Sequence, residues 1–201
     1  MDAPHRFTYG DDVSQWADLY RPEGDPRGVV VVIHGGFWKA AYEADLGAPL
    51  AADLARRGWA AWNLEYRRVG NGGGVPATLD DVAAGVDALT QVPDLDLEAA
   101  AREHLGSDAV AALLGRPWAT VGRAARREVD PLSQVPLDVP VWCVHGRSDD
   151  TVPITQSETY VATSRRAGGR AELVAVEGDH FVVIDVTSEA WTRTLEVLDG
   201  L

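Results

Sequence analysis

Cysteine is nearly absent from this sequence, which has one, Cys143, among 201 residues. An internal disulfide is therefore excluded, and a reducing compartment is the simplest setting. Cys143 lies in an apolar run, where a small buried side chain is more common than a reactive thiol. Residues 1–6 carry no apolar signal core, and no apolar run approaches the ~20 residues of a membrane span. These absences predict a cytoplasmic protein without a membrane partner.

Basic residues are also scarce, with 18 Lys and Arg against 31 Asp and Glu and a formal net charge of −13. Nucleic acids and anionic membranes require a basic face, so neither is an expected partner. No cluster of histidine, cysteine and carboxylate has metal-ligand spacing. The glycine-rich stretch at 70–74 lacks the lysine and the spacing of a phosphate-binding loop. The sequence therefore predicts neither a metal nor a cofactor.

Strand and helix signals alternate along the chain, which favours a single α/β domain with a mostly parallel sheet and flanking helices. Val29–Ile33 is an apolar run without polar alternation, typical of a strand buried on both faces. Residues 7–9 and 16–20 are short and suit an edge hairpin. Further strands are predicted at 59–64, at 141–144 within the apolar run 139–144, and at 171–176.

Helices are predicted between these strands. One spans about 46–57 and ends at Gly58, and another is capped by Thr78. Two more cover 155–167 and a segment that begins near Thr187 or Ser188. Residues 97–115 are mostly helix formers, and 123–128 suit a short helix or turn. No strand-like run occurs between Leu64 and residue 139, where a βαβ unit of roughly 30 residues would place one.

Three motifs follow strand-like runs and carry groups used in hydrolysis. The first is His34-Gly35-Gly36-Phe37-Trp38, whose glycine amides can donate to a developing negative charge. The second, residues 145–153, contains Asp149, with Asp150 as a rival carboxylate. The third, residues 178–181, contains His180, a candidate general base. Such groups gather at the carboxyl ends of strands in an open parallel sheet.

Together with Asn63-Leu64-Glu65-Tyr66-Arg67, these motifs resemble the α/β-hydrolase superfamily, from about residue 13 to 200. Within it they are most similar to the kynurenine-formamidase-like and carboxylesterase-like branch. The resemblance implies a serine hydrolase of small esters or amides. It implies Asp149 as the triad acid and His180 as the base. It also implies an oxyanion hole formed by Gly35, Gly36 and Phe37. His34 is interpreted as a residue that structures the loop.

The nucleophile of such a hydrolase is missing, because Gly-x-Ser-x-Gly occurs nowhere in the chain. The family places a strand, this elbow, a helix and another strand after a helix that here ends near Thr90. The sequence instead runs directly from 93–97 into 98–101, which predicts a deletion of about 50 residues near 97–98. None of seven other serines is predicted on a tight strand-to-helix turn: Ser14, Ser107, Ser133, Ser148, Ser157, Ser164 and Ser188.

Three hypotheses remain open. The chain is a hydrolase of small esters or amides without its elbow, or an incomplete version of a longer hydrolase. Alternatively, it is an inactive binding or oligomer-forming remnant. A sheet without its central strands would expose an apolar edge, and such an edge favours a homodimer.

Overall fold

The computed structural model describes residues 3–91 and 131–201. The chain divides into two compact units, Met1–Val121 and Gly122–Leu201. Several predictions fall outside the described residues: the helices of 97–115 with His104 and Ser107, the segment 123–128, and the deletion near 97–98. The single-domain organisation stays a prediction.

The first unit contains a four-stranded sheet in the order β1-β2-β4-β3. Its strands are β1 (His5–Thr8), β2 (Trp16–Tyr20), β3 (Val29–Ile33) and β4 (Ala60–Leu64). β1 and β2 form the predicted antiparallel hairpin, and β2 is antiparallel to β4. β3 and β4 are parallel, with Val29 opposite Ala60. This sheet is mixed because residues 21–28 are too short a connection for the crossover of a dozen or more residues that parallel strands need.

The most buried strand of this sheet is β4, whose five residues are all buried. The apolar run at Val29–Ile33 predicted such burial on both faces for β3 instead. Trp62 of β4 is fully buried and packs with Leu19 and Leu89. The side chains of β3 are partly exposed, and Ile33 is 39% exposed. Within the described residues β3 is an edge strand of its sheet. It pairs with β4 along one edge, and no described strand pairs with its other edge.

In the described part of this unit, two α-helices accompany the sheet: α1 (Ala48–Arg56) and α2 (Ala77–Asp87). α1 has proline in its first turn and is followed by Gly58 with φ of 89°, as the sequence predicts. Thr78 does not cap α2, because Pro76 holds that position and Thr78 lies inside the first turn. The Thr78 hydroxyl instead donates to the Arg67 carbonyl at 2.7 Å and accepts from the Gly74 amide at 2.9 Å.

α2 also carries a buried carboxylate, that of Asp81. Asp81 is 1% exposed, and its oxygens lie 2.6 and 2.7 Å from the guanidinium of Arg67. Burial raises the pKa of Asp81, but the hydrogen bonds from Arg67 and Gln15 outweigh this effect and lower it. Asp81 therefore ties α2 to the segment that follows β4.

The second unit pairs β5 (Val141–Gly146) with β6 (Ala171–Val176) in parallel, Val141 opposite Ala171. Its helices are α3 (Thr155–Arg166) and α4 (Glu189–Asp199). The hydroxyl of Ser188 caps α4 by accepting from the Trp191 amide at 3.0 Å. β5 begins at Val141 as predicted, directly after Pro140, which has no N–H for the sheet, and it extends two residues beyond the predicted end. Across both described ranges no helix is long and apolar enough to cross a membrane.

The sequence predicted a mostly parallel sheet. Among the described strands, however, two of the four pairings are parallel and two are antiparallel. The α/β class itself holds, with small sheets and four α-helices in the described residues.

Candidate active site

In the second unit, Asp149 and His180 are in direct contact. Asp149 Oδ2 lies 2.9 Å from His180 Nδ1, and the two side chains are 6% and 30% exposed. Asp149 follows β5, and His180 begins a 3-10 helix, His180–Ile184, after β6. Asp150, the rival carboxylate, is exposed and contacts the hydroxyl of Thr151 at 3.4 Å. The fold thus brings Asp149, and not its neighbour, to the imidazole.

The carboxylate of Asp149 is held by the backbone of its own loop. Oδ1 accepts from the amides of Thr151 and Val152 at 2.9 and 2.7 Å. Burial raises the pKa of Asp149, but hydrogen bonds from the Val152 amide, His180 and the Thr151 amide together lower it below its ordinary value. Asp149 is therefore ionised at neutral pH, as a group that orients an imidazole and stabilises its protonated form must be.

A close backbone approach holds the two loops together. A Cβ on Gly146 would lie 2.5 Å from the carbonyl oxygens of both Gly178 and Asp179. The amide of Ser148 donates to the Gly178 carbonyl at 2.9 Å. Gly178 itself has φ of 126°, a conformation that favours glycine. The glycines of the two motifs therefore form a loop–loop contact, and this contact sets the distance between Asp149 and His180.

His145 is a buried residue whose contacts are structural. Its Nε2 lies 2.9 Å from the Val152 carbonyl and 3.3 Å from Asp149 Oδ2. Its Nδ1 lies 2.8 Å from the hydroxyl of Ser157. The contact with Asp149 was missed in the sequence, although the four-residue spacing from His145 to Asp149 was a signal for it.

The described serines are engaged in local structure. Ser157 is in the first turn of α3 and is bonded to His145. Ser14 accepts from the side chain of Asn71 at 3.0 Å, Ser164 is buried in α3, and Ser188 caps α4. None of these four serines lies on a tight strand-to-helix turn.

In the first unit, the glycine loop leaves β3 with an unusual backbone. Gly36, Phe37 and Trp38 all have positive φ, at 110°, 55° and 52°. A Cβ on Gly36 would lie 2.3 Å from Cβ of Tyr42, so only glycine fits there. Non-glycine residues in the left-handed region are uncommon, and strained backbone of this kind concentrates at functional sites. The loop predicted to bind an oxyanion is therefore strained and tightly packed.

His34, at the start of this loop, is buried and structural, as its sequence context indicates. Its Nε2 lies 3.2 Å from Glu65 Oε1, and its ring stacks on Tyr66 with centroids 4.5 Å apart. The Tyr66 hydroxyl donates to the His34 carbonyl at 2.6 Å. Sequence reasoning missed the part played by Glu65 and Tyr66. The signal for it was a charged residue directly after the predicted strand 59–64.

Neither described range contains a group of three or more His, Cys, Asp or Glu side chains that could hold a metal ion. Cys143 is half-buried in β5, and burial raises the pKa of its thiol, partly offset by a hydrogen bond with Ser157. A raised pKa disfavours the reactive thiolate.

The chain is similar in structure to an esterase from the Planctomycetes species Thermogutta terrifontis, Est2. The native form of that esterase has a TM-score of 0.72 and 20% identity over 98% of this chain and 91% of that chain. A propionate-bound form has a TM-score of 0.72 and 20% identity over 98% and 93%. A form phosphorylated by paraoxon has a TM-score of 0.71 and 20% identity over 100% and 93%.

This likeness shows that the chain has an esterase-like hydrolase fold. No protein-family model matches the sequence. No curated protein matches it either.

Proposed function

We propose that the chain is an esterase-type hydrolase protein that binds small carboxylic esters or amides. The observation that carries the proposal is the 2.9 Å contact between Asp149 and His180, two residues at the ends of parallel strands in an esterase-like fold. The sequence motifs of this chain favour the kynurenine-formamidase-like and carboxylesterase-like branch of that fold. A fold alone hosts many activities, so the acid–base pair is the stronger support.

In this proposal His180 moves protons and Asp149 orients it. The hydrogen bond from Nδ1 to Asp149 leaves Nε2 as the nitrogen that exchanges a proton with the attacking or the leaving group. The ionised carboxylate stabilises the imidazolium that forms in this step. Within the first unit, the backbone amides of Gly35, Gly36 and Phe37 are donors of the kind that stabilises a carbonyl oxygen as it becomes negative.

The group that this chain lacks at its usual place is the nucleophile, which attacks the ester or amide carbonyl. The sequence has no Gly-x-Ser-x-Gly, and we attribute this to a deletion near 97–98. A triad hydrolase without its nucleophile retains about 10³–10⁴-fold acceleration over water from binding and the oxyanion donors. We therefore expect slow ester hydrolysis without a covalent acyl-enzyme.

A fluorophosphonate probe, which phosphonylates activated serines, tests this proposal. The Thermogutta terrifontis esterase is a suitable positive control, since a structure of it phosphorylated by paraoxon exists. We expect mass spectrometry to show no labelled serine in this chain under conditions that label the control. Stoichiometric labelling of any serine would show a working nucleophile and overturn the proposal of a missing one.

Hydrolysis of a short-chain aryl ester tests the acid–base pair. Asp149→Asn and His180→Ala are expected to reduce the slow rate, because each removes one member of the pair. Asp150→Asn is the matched control: it removes the same charge one residue away, from a side chain that contacts Thr151. Equal rates for all three variants would contradict the assignment of Asp149.

A second candidate, an inactive oligomer-forming role, is favoured by the exposure of β3. Ile33 is 39% exposed on a strand that ends its sheet in the described part of the chain. An open strand edge can pair with a second copy of the chain. Sedimentation analysis tests this: a dimer supports the candidate, and a monodisperse monomer of high unfolding stability counts against it.

A further inference from the structure

The buried carboxylate of Glu65 connects both ends of the glycine loop. Its Oε1 lies 3.2 Å from His34 Nε2, at the start of the loop. Its Oε2 accepts from the amide of Ala44, at the end of the loop, at 2.9 Å. Oε1 also accepts from the Tyr66 amide at 2.8 Å, and the side chain is 2% exposed. One side chain thus contacts segment 34–44 on both sides of its strained residues.

Arg68 extends this contact to the carbonyls of the loop. Its guanidinium lies 2.9 Å from Glu65 Oε1 and is itself 2% exposed. It donates to the carbonyls of Tyr42 and Ala40. A buried guanidinium requires a paired charge, so removing the Glu65 charge would disturb the bonds that Arg68 makes to the loop.

The backbone of the segment 65–69, directly after β4, also forms hydrogen bonds with the glycine loop. The amide of Val69 donates to the Trp38 carbonyl at 2.8 Å, and the amide of Ala40 donates to the Val69 carbonyl at 3.0 Å. Three successive positive φ angles persist only where the surrounding structure over-determines them. Here the surrounding structure is the segment 65–69, with Glu65 and Arg68 as its buried charges.

We propose that Glu65 is a positioning residue, which holds the glycine loop in the conformation that binds a carboxylate or an oxyanion. This inference rests on the anion-binding part of the proposed function. Glu65 is buried and paired away from solvent, so it acts through the loop and does not touch the substrate itself.

Ionisation of Glu65 is consistent with this role. Burial raises the pKa of its carboxyl group, but hydrogen bonds from His34 and from the amides of Ala44 and Tyr66 outweigh burial and lower it. The amides of Ala44 and Tyr66 and the guanidinium of Arg68 are donors to a carboxylate, and His34 Nε2 donates to it when that nitrogen carries a proton. A side-chain amide has the same shape but would place an NH₂ against one of these donors.

Glu65→Gln, with Asp81→Asn as the matched control, tests the inference. Asp81 is equally buried and also pairs with a guanidinium and a backbone amide, but its bonds are to Arg67 and Gln15 and not to the loop. The readouts are the amide NMR shifts and hydrogen exchange of Gly36, Phe37 and Trp38. A titration with butyrate, a short carboxylate, is followed on the same amides.

Glu65→Gln is expected to shift these amides, speed their exchange at least tenfold and weaken butyrate binding by a similar factor. Asp81→Asn is expected to leave the loop amides and butyrate affinity near those of the unaltered chain, even where its stability falls. Tyr66→Phe removes only the hydroxyl bond to the His34 carbonyl and should act in the same direction but less strongly. It serves as the test if Glu65→Gln does not fold.

Loop amides unchanged by Glu65→Gln, or by Tyr66→Phe in its place, would overturn the inference, and so would an equal disturbance by Asp81→Asn. If butyrate leaves the loop amides of the unaltered chain unmoved, the anion-binding function fails. The comparison of loop amides between the variants still decides whether Glu65 positions the loop.

Discussion

Replacing Gly146 by alanine is expected to separate the loops that carry Asp149 and His180. The added Cβ would lie 2.5 Å from the carbonyl oxygens of Gly178 and Asp179, where ordinary contact begins at 3.4 Å. The shortfall is 0.9 Å against two backbone atoms, which cannot rotate away as a flexible side chain would. The loops must therefore move apart by about this distance.

The energetic cost follows from this geometry. Overpacking of a tight contact typically costs about 1–3 kcal/mol. The bond from the Ser148 amide to the Gly178 carbonyl, at 2.9 Å, would lengthen, and its loss adds about 1 kcal/mol. We expect the free energy of unfolding to fall by about 2–4 kcal/mol, a large part of the 5–15 kcal/mol typical of a folded protein. Under the proposed function, a displacement of ~1 Å between Asp149 and His180 would also cost ~10²-fold in rate.

Urea denaturation measures the stability, and NMR of the His180 ring reports its contact with Asp149. Gly200→Ala is the matched control, since its Cβ would meet its nearest atoms at 3.5 Å, an ordinary contact. A Gly146→Ala variant within about 0.5 kcal/mol of the unaltered chain, the range of harmless surface substitutions, would refute the reasoning. So would a His180 spectrum that does not change.

Two further predictions concern pH and the glycine loop. The pKa of Asp149 is lower in the folded chain than its unfolded value of about 3.9, so its stabilisation is complete above about pH 5 and is lost as the pH falls through and below 4. Urea unfolding between pH 3 and pH 7 should show a weaker acid dependence for Asp149→Asn, and an identical dependence would contradict the assignment. Gly36 has φ of 110° and lies against Tyr42, so Gly36→Ala should lower the free energy of unfolding by at least about 1–3 kcal/mol. Gly35→Ala is the control, because a Cβ on Gly35 meets no atom within 4 Å. Equal unfolding free energies for the Gly36→Ala and Gly35→Ala variants would show that the loop is not strained.

Local features of the chain were predictable because local interactions produce them. The hairpin of β1 and β2, the helix α1 between Pro49 and Gly58, and the strand β6 follow from patterns within a few residues. The Asp149–His180 contact was also within reach, since two motifs after two parallel strands must meet at the same sheet edge.

The burial of β3 and the role of Thr78 were not predictable in this way. Residues 29–33 have the composition of a central strand, but exposure depends on which strands lie on either side. Thr78 has the properties of a helix cap, but the carbonyl of Arg67, eleven positions earlier, engages its hydroxyl instead. Strand order and partners from other loops decide both outcomes, and neither is encoded in a short window.

The sequence by itself determined which chemical groups this protein has: an acid, a base, a glycine loop, and no serine elbow. Tertiary structure alone decided that His145 supports the Asp149 carboxylate and that Glu65 connects the two ends of the loop. The physical reason is that residue types set what a side chain can donate or accept. The partners of His34 and of His180, however, lie 31 positions away along the chain, and only the folded backbone brings them within bonding distance.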